Sequence, residues 1–522
     1  MTMSQASESN IHKSELASIA EGAGITFVGR IMDVGFRYLY MAILARILGP
    51  RLLGILLLGL TIVAFAGIIS RFGLEICVVR YVSIYKGLGD EGRIKGTIVQ
   101  ALAWSFIVSV SIGAGLFIGS RFLSVSVFAK PELQPVIKLL SFSLPFLSAA
   151  VIALAYTQGL KMMKYVVWSR FLFWPLSNVV LALLFFFAGC GLNGMAAANT
   201  TSIFLTCILS MFFLVKCFPN IKHIKAVYEA RKLLRISIPS AGIIFLTYVI
   251  MWTDILMLGY FKTSEEVAVY NMAMRTALLI SLTLASFGAI FAPIVSDLYN
   301  RKQMQKLGAL FKTVTRWNFG VSFSVFLLVA LLSKEIMAMF GQRFIIGYAP
   351  LVILASAQLV NASVGSVGAV LIMSGKQDFV MWNNVGVCVL NILLNRLLIP
   401  PYGIIGAAIA SGISIIVSNV VMLLEVCILL RMHPYSRHFV KPLGAGLVAF
   451  GIVVFVLNML GNLVGVQKML VSVLLFSAIF ITVLYKLGFN DQDRFIIKTV
   501  KMKFANAART CNEESNDSGP AR

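Results

Sequence analysis

The fold is decided by the first long apolar run of the chain, residues 23–48, which reads AGITFVGRIMDVGFRYLYMAILARIL. About 20 apolar residues are long enough to cross the hydrocarbon core of a bilayer. Because lipid offers no hydrogen-bonding partners, a crossing segment must satisfy its own backbone groups, and a helix does this within one segment. The run therefore predicts a membrane-spanning helix, although it contains the charged residues Arg30, Asp33 and Arg37.

The composition extends this prediction to the whole chain. Of 522 residues, 59% are hydrophobic and 12% are charged, and the mean hydropathy is +0.91. Soluble domains have about 25% charged residues. We therefore predict an all-α polytopic membrane protein with about 14 transmembrane helices, at residues 23–48, 52–70, 97–119, 136–158, 171–190, 194–215, 236–259, 267–293, 317–340, 350–373, 380–399, 404–430, 443–461 and 469–487.

The distribution of positive charge predicts the orientation. The net charge of +23 is spread over many loops and forms no single patch with interleaved aromatic residues, so nucleic acid is not predicted as a partner. Basic residues concentrate in alternate loops such as 86–96, 216–235 and 299–312. Because such loops favour the cytoplasm, we predict a multi-pass protein of the bacterial inner (cytoplasmic) membrane with both termini cytoplasmic. The same residues are expected to contact anionic membrane lipids.

An internal repeat relates the two halves of the chain. GLNGMAAANTTS at 191–202 and GIIGAAIASGIS at 403–414 match at positions 212 residues apart, and Asn178 and Asn391 are separated by 213. Glycine and alanine at this spacing let membrane helices approach closely, so we interpret them as packing residues. The repeat predicts two six-helix lobes of the same orientation with a cavity between them, followed by two further helices.

These features divide the chain into six predicted parts. They are a cytoplasmic N-terminal segment (1–22), the first lobe (23–216), a basic cytoplasmic linker (217–235), the second lobe (236–430), two additional helices with their loop (431–487), and a cytoplasmic, mostly disordered tail (488–522). The polar first part has no pattern of a cleaved signal peptide.

The charged residues of the first run are predicted to share one face. At 100° per residue, Arg30, Asp33 and Arg37 fall within an arc of about 60°. A charge facing lipid costs about 2.5–3.5 kcal/mol, so the stripe must face protein or water. Two cations with one anion favour an anionic substrate, and the forked donors of arginine suit phosphate. Alternatively, Asp33 pairs with both arginines and staples the helix to a neighbour.

Two charges in the second half are further candidates for substrate binding. Asp254 lies in the repeat partner of the first span and is predicted to line the same cavity from the opposite lobe, with Arg275 in the next span. The alternative is an Asp254–Arg275 ion pair. Trp252, close to Asp254, is interpreted as an anchor at the membrane interface.

No catalytic, cofactor or metal pattern is found in the sequence. The four histidines lie in predicted cytoplasmic segments, and the seven cysteines lack metal or redox spacing. A phosphate-binding loop is also missing. We therefore predict a protein that is not an enzyme and has no cofactor.

The chain resembles the oligosaccharide-lipid flippases of the multidrug/oligosaccharidyl-lipid/polysaccharide superfamily. The resemblance extends over residues 20–490 and rests on MAILARILGPRLLGILLLG (41–59), DILMLGYFKTSEEVAVYNMAMRTA (254–277) and NRLLIPPYGIIGAAIASGIS (395–414). It implies two six-helix lobes around a central cavity. It also implies movement of a polyprenyl-pyrophosphate-linked sugar from the inner to the outer leaflet.

Two branches of the superfamily bear on particular residues. Lipid II flippases have cavity arginines, which Arg30, Arg37 and Arg275 resemble in location. This sequence departs from them because it has no arginine in the middle of its second span, which argues against lipid II as substrate. The multidrug branch uses an acidic residue in the first span for cation coupling, and Asp33 corresponds to it.

The favoured hypothesis is a flippase for lipid-linked oligosaccharides, such as O-antigen, exopolysaccharide or capsule repeat units, working by alternating access. Its expected partners are the lipid-linked substrate, membrane lipids, and a polysaccharide polymerase with its chain-length machinery. One alternative is a cation-coupled exporter of drugs or small solutes. Another is a membrane-embedded polysaccharide polymerase or glycosyltransferase, which would need acid-base or metal-binding residues on a sizeable outer loop.

Overall fold

The computed structural model describes residues 2–219, 224–461 and 465–486. Side chains are described from residue 29 onward, except those of residues 30, 31, 243, 286, 289, 290 and 293. The predicted tail, 488–522, lies outside the described residues. Within the described ranges the chain is almost entirely helical and contains no strand, which confirms the predicted fold class.

The helices follow one another with short connections. They are α1 (Thr2–Arg71), α2 (Leu74–Gly87), α3 (Glu91–Arg121), α4 (Leu133–Ser141), α5 (Ser143–Gly159), α6 (Met163–Val166), α7 (Trp174–Phe187), α8 (Gly191–Cys217), α9 (Ala230–Phe261), α10 (Ser264–Leu278), α11 (Leu282–Asn300), α12 (Met304–Leu331), α13 (Ser333–Ala338), α14 (Tyr348–Val364), α15 (Val367–Met373), α16 (Gln377–Leu430), α17 (Val440–Leu460) and α18 (Val466–Lys486). A π-helical segment, Val167–Phe173, joins α6 to α7.

Helix α1 doubles back at Gly49. Its apolar part, Met32–Arg71, would be about 60 Å long if straight, twice the thickness of the hydrocarbon core. Gly49 adopts φ 68° and ψ 173°, a backbone conformation open to glycine, and Pro50 then begins the next leg. Arg37 and Ala64, on opposite sides of this break, line the same cavity. The chain therefore crosses the membrane twice within α1.

Helix α16 doubles back in the same way at Gly403, which has φ 55° and ψ −129°. Asn391 before the break and Ser411 after it both donate hydrogen bonds to Asp254, which a straight helix would not allow. Gly191, the repeat partner of Gly403, begins α8 with φ 53°. The internal repeat is thus visible in the backbone as well as in the sequence.

The number of crossings agrees with the predicted fourteen. Eleven described helices are long and apolar enough to cross a membrane, and α4 with α5, bent by 42°, form a twelfth span. Dividing α1 and α16 at their glycine breaks brings the number to fourteen. The turns at Gly49 and Gly403 lie at one end of the bundle, which we call the Gly49 end, and the connection after Lys86 lies at the opposite end, the Lys86 end.

The two lobes are joined differently at these two ends. At the Gly49 end, one apolar core contains side chains of both lobes, including Leu44 and Leu58 from α1 and Leu258 from α9. A Cβ atom added to Gly54 would lie 1.7 Å from the backbone oxygen of Ser264, so the backbones of α1 and α10 are in direct contact there. At the Lys86 end, the first lobe with the start of α9 has one core and the second lobe has another. The last two helices, α17 and α18, pack on α12.

Candidate functional site

A cavity of about 170 Å³ lies between the lobes. Its wall comes from α1, α5, α7 and α8 on one side and from α9 and α10 on the other. Two guanidinium groups, those of Arg37 and Arg275, reach it from opposite lobes, and the described lining residues include no Asp, Glu or His. The cavity is therefore positively charged and lies within the membrane-spanning part of the bundle.

The guanidinium of Arg37 is hydrogen-bonded through Nε only. Its Nε donates to Asp33 Oδ1 at 2.5 Å, one helical turn earlier, and its guanidinium lies 5.2 Å from the centre of the Trp174 ring. The side chain of Arg37 is 40% exposed, whereas that of Asp33 is 17% exposed. Among the described residues, the terminal nitrogens of Arg37 have no hydrogen-bond acceptor. Asp33 thus orients Arg37 and leaves its outer donors for a ligand.

Arg275 is positioned by its own helix. Thr263 Oγ1 accepts a hydrogen bond from the backbone of Glu266 and so caps the start of α10, which carries Arg275 three turns later. Arg275 Nε donates to Asn271 Oδ1 at 2.6 Å, also within α10. In the described part of the chain Arg275 has no ion pair, so its charge is available to the cavity.

Three buried polar atoms on the cavity wall have no described protein partner: Tyr40 Oη, Asn178 Oδ1 and Trp252 Nε1. Leaving such an atom unsatisfied costs about 1–3 kcal/mol. The indole N–H can only donate, the phenol can donate or accept, and the amide oxygen of Asn178 can only accept. Together with the two guanidinium groups, the wall therefore offers more donors than acceptors and favours a ligand rich in acceptors. The prediction that Trp252 anchors the protein at the membrane interface is wrong, because its ring faces this cavity.

Asp254 lies elsewhere in the second lobe. Its carboxylate accepts hydrogen bonds from Tyr270 Oη at 2.6 Å, from Asn395 Nδ2 at 2.6 Å, from Asn391 Nδ2 at 3.3 Å and from the hydroxyl of Ser411. These donors are all neutral. The alternative Asp254–Arg275 ion pair is not formed, and the buried cluster holds α9, α10 and both legs of α16 together.

The structure places two of the five predicted site residues, Arg37 and Arg275, on the cavity wall. Asp33 is bonded to Arg37 without lining the cavity, and Asp254 does not line it either. Arg30 lies in α1, but its side chain is outside the described residues.

One cation near the cavity was missed in the sequence. Arg170 lines a small hollow next to the cavity, in the π-helical segment before α7. The predicted span began at residue 171 and therefore left Arg170 in a loop, whereas the observed span runs from Met163 to Phe187. The sequence did contain a signal for this residue, because Arg170 is a charged residue inside an apolar stretch.

Two six-helix lobes around a positively charged internal cavity define a multi-pass membrane transporter. The chain belongs to the polysaccharide biosynthesis protein family, whose sequence model matches residues 19–299. The MatE family matches residues 239–397. Both matches confirm the predicted multidrug/oligosaccharidyl-lipid/polysaccharide (MOP) superfamily.

Individual relatives agree with this assignment. The chain is 26% identical over 203 residues to the probable low-salt glycan biosynthesis flippase Agl15 of Haloferax volcanii. That similarity covers 39% of this chain, which spans only 42% of the length of this curated relative.

Two solved structures have a similar fold. One is the lipid II flippase MurJ in an inward closed conformation, with a TM-score of 0.69 and 14% identity, covering 89% of this chain and 98% of that one. The other is a multidrug resistance MATE family transporter of the MOP superfamily in an inward-facing conformation, with a TM-score of 0.67 and 17% identity, covering 76% and 94%. At these identities the likeness concerns the fold alone.

Proposed function

We propose that the chain is a flippase that moves a polyprenyl-pyrophosphate-linked oligosaccharide from the cytoplasmic to the outer leaflet by alternating access. One observation carries the proposal: the cavity between the lobes presents two guanidinium groups and two unsatisfied donors, without an acidic side chain among its described lining residues. A pyrophosphate supplies the negative charge and the acceptor oxygens that such a wall lacks. Membership of the polysaccharide biosynthesis family and the similarity to Agl15 support it.

In this proposal Arg37 and Arg275 bind the pyrophosphate from opposite lobes. The terminal nitrogens of Arg37 form a fork that matches two phosphate oxygens, while Asp33 fixes the other edge of the guanidinium. We propose that Arg30, on the same stripe, adds positive charge toward the cytoplasmic side. Binding both lobes through one anion would couple substrate occupancy to the movement of one lobe against the other.

Asp254 receives a different role from the one the sequence suggested. Because it is buried among four neutral donors, we propose that it positions the helices of the second lobe. It would then act on transport through the rigidity of that lobe and not through contact with the substrate.

The proposed orientation places both termini in the cytoplasm of a bacterial inner membrane. The Lys86 end would then be cytoplasmic, and the shared apolar core would close the cavity toward the outside. The lobes would correspond to residues 23–216 and 236–430. A polysaccharide polymerase and its chain-length machinery would use the flipped product.

The second candidate is a cation-coupled exporter of drugs or small solutes, which the MatE match at residues 239–397 favours. An exporter of organic cations would need an anionic group at its binding site, and Asp33 is already paired with Arg37. The third hypothesis, a polymerase or glycosyltransferase, needs acid-base or metal-binding residues. The described cavity wall supplies arginine, amide and aromatic side chains instead.

The deciding experiment compares two substrates in vesicles that contain purified protein. One is a fluorescent polyprenyl-pyrophosphate oligosaccharide, whose arrival in the opposite leaflet is measured by quenching, and the other is a cationic dye. We expect the parent protein to flip the glycolipid, and Arg275→Ala to lose this activity while remaining folded. Transport of the dye with no flipping of the glycolipid would overturn the proposal in favour of the exporter.

A further inference from the structure

At the Gly49 end, Lys130 of the first lobe is bonded to the second lobe. It lies in the connection between α3 and α4. Its Nζ donates to the backbone oxygens of Gly259 and Lys262, at the end of α9, at 2.5 and 3.0 Å. A third bond, at 3.2 Å, goes to the backbone oxygen of Phe128 in its own connection. An ammonium group has three donors, so all those of Lys130 are used, and two of them link the lobes.

The backbone of Lys130 is fixed to the first lobe. Its N–H donates to the backbone oxygen of Ser124 at 2.6 Å. Ala129, directly before it, has φ 51°, in the left-handed region that is uncommon for residues other than glycine. Such a conformation persists only where the surrounding structure holds it. The bonds from Lys130 to α9 therefore start from a fixed point of the first lobe.

The acceptors of these bonds lie at the end of a helix, where donors are missing. The last four carbonyl groups of a helix have no partner within it, and together they carry about half an elementary negative charge. Helix α9 ends at Phe261, so Gly259 and Lys262 supply carbonyl groups of this kind. Lys130 thus provides donors and positive charge where both are needed. In the described part of the chain it forms no ion pair, so its partners are neutral carbonyl groups.

Arg46 makes an equivalent contact with another helix of the second lobe. It lies in the first leg of α1, close to the turn, and its Nε donates to the backbone oxygen of Met339 at 2.8 Å. Met339 directly follows α13. The next residue, Phe340, packs edge-on against Tyr38 of α1, with ring centres 5.5 Å apart. At two places, therefore, a cation of the first lobe binds the carboxyl end of a helix of the second lobe.

Both contacts depend on the lobes being together at this end. A Cβ atom added to Gly259 would lie 2.6 Å from Leu58 Cδ1, so the end of α9 is packed against α1. If the lobes separated here, the cations and the carbonyl groups would both be transferred to water. Water replaces such hydrogen bonds at a modest net cost. Contacts of this kind can hold a gate closed and still release it in each transport cycle.

Resting on the proposed alternating-access function, we propose that Lys130 and Arg46 form a latch that keeps the cavity closed at the Gly49 end. The latch consists of these two cations and the carbonyl groups of Gly259, Lys262 and Met339. It is separate from the substrate cavity, whose wall includes none of these residues. Lys130 and Arg46 are thus positioning residues, which set the population of the closed state without contact with the substrate.

The test measures the distance between two spin labels across the Gly49 end by double electron–electron resonance. The full-length protein is held in lipid nanodiscs without substrate. One label is attached to Cys190, an exposed cysteine between α7 and α8. The other is attached to Ile346→Cys, an exposed position of the second lobe before α14. The remaining cysteines are replaced by serine, and the ratio of the long to the short distance gives the ratio of open to closed protein.

The variants separate the latch from general effects of removing a cation. Lys130→Met loses the charge and all three donors, so it should raise the ratio of open to closed protein about tenfold. Arg46→Gln loses one exposed contact and should raise the ratio about threefold. The double variant should raise it about thirtyfold, since the two cations share no partner and act on the same equilibrium. The matched control is Lys138→Met, which removes a lysine that contacts Phe117 within the first lobe, and it should have the parental ratio.

The outcomes distinguish the latch from the function on which it rests. A parental ratio in Lys130→Met, or an equal rise in Lys138→Met, would overturn the latch while the flippase proposal stands. If the ratio shifts as expected but the parent flips no glycolipid in vesicles, the latch is supported and the proposed function is wrong. Should Lys130→Met be depleted from the membrane, Arg46→Gln alone decides, because its exposed side chain can be removed without loss of the fold. A parental ratio in that variant would then overturn the proposal.

Discussion

Replacing Arg37 by alanine is expected to abolish transport and to leave the fold nearly intact. The Asp33–Arg37 pair is accessible to water, with side chains 17% and 40% exposed, so its contribution to stability is about 0–1 kcal/mol. Stacking of the guanidinium on Trp174 adds about 0.5–1 kcal/mol. A buried pair would cost about 3–5 kcal/mol when broken. Arg37→Ala protein should therefore reach nearly parental abundance in the membrane.

The expected loss of binding free energy for the substrate is larger than this loss of stability. A hydrogen bond from a charged donor contributes about 1.5–3 kcal/mol, which corresponds to a reduction of about ten- to 150-fold in affinity for the pyrophosphate. Arg37→Lys keeps the charge but not the paired donors, so it should retain partial activity.

A matched control is provided by Arg51, which pairs with Glu132 at 2.7 Å outside the cavity, with side chains 69% and 45% exposed. Arg51→Ala removes the same side chain and also breaks an ion pair, and its transport should equal that of the parent. Flipping is measured in reconstituted vesicles and divided by the amount of folded protein, which size-exclusion chromatography determines.

Two results would refute this reasoning. Parental transport per folded molecule by Arg37→Ala would eliminate the phosphate-binding role of Arg37. If Arg37→Ala protein is instead depleted, and the double variant with Asp33→Asn and Arg37→Gln recovers its abundance, then the charged stripe is a staple between helices.

Three further predictions follow from the packing and the proposed orientation. Gly54→Val should hold the Gly49 end open, because a Cβ at this position would lie 1.7 Å from the backbone oxygen of Ser264. Cysteines introduced near this end should then react with a thiol label faster in the variant than in the parent protein. Equal rates of labelling would contradict the close contact. Asp254→Asn should reduce the yield of folded protein, because the new amide group would face the donors whose hydrogen bonds the carboxylate now accepts. Tyr270→Phe removes one hydrogen bond to Asp254, so it should lower the free energy of unfolding by about 1 kcal/mol, measured by thermal unfolding. A parental yield of the Asp254 variant would argue against the positioning role. Reporter fusions should indicate the cytoplasm at Lys86, Lys306 and Arg437, and the outer side at Lys130, Lys262 and Lys468. The reverse pattern would overturn the proposed orientation.

The sequence predicted the spans well because a lipid-facing surface must remain apolar along its whole length. Even the two helices with internal turns were divided correctly, since GP at 49–50 and PPYG at 400–403 interrupt otherwise continuous runs. The stripe of charges likewise indicated a wet interior, because lipid does not accommodate it.

The partners of these charges could not be predicted in the same way. Tyr40 and Trp252 lie in apolar runs, and nothing local distinguishes a ring on a cavity wall from a ring in a packed core. The donors around Asp254 come from α10 and from both legs of α16, so only the fold brings them together. Arg170 was missed because hydropathy does not reveal a π turn.

The apolar core shared by the lobes at the Gly49 end has a thermal consequence. Opening that end exposes apolar side chains to water, and such exposure raises the heat capacity by about 0.45 cal/K/mol per Å². Among the described residues, the core at the Lys86 end includes only the start of α9 from the second lobe, so opening that end exposes less apolar surface. The free-energy difference between the state open at the Gly49 end and the state open at the Lys86 end should therefore vary with temperature along a curve and not a straight line. The state with a closed Gly49 end should become less favoured in the cold, because hydrophobic association weakens.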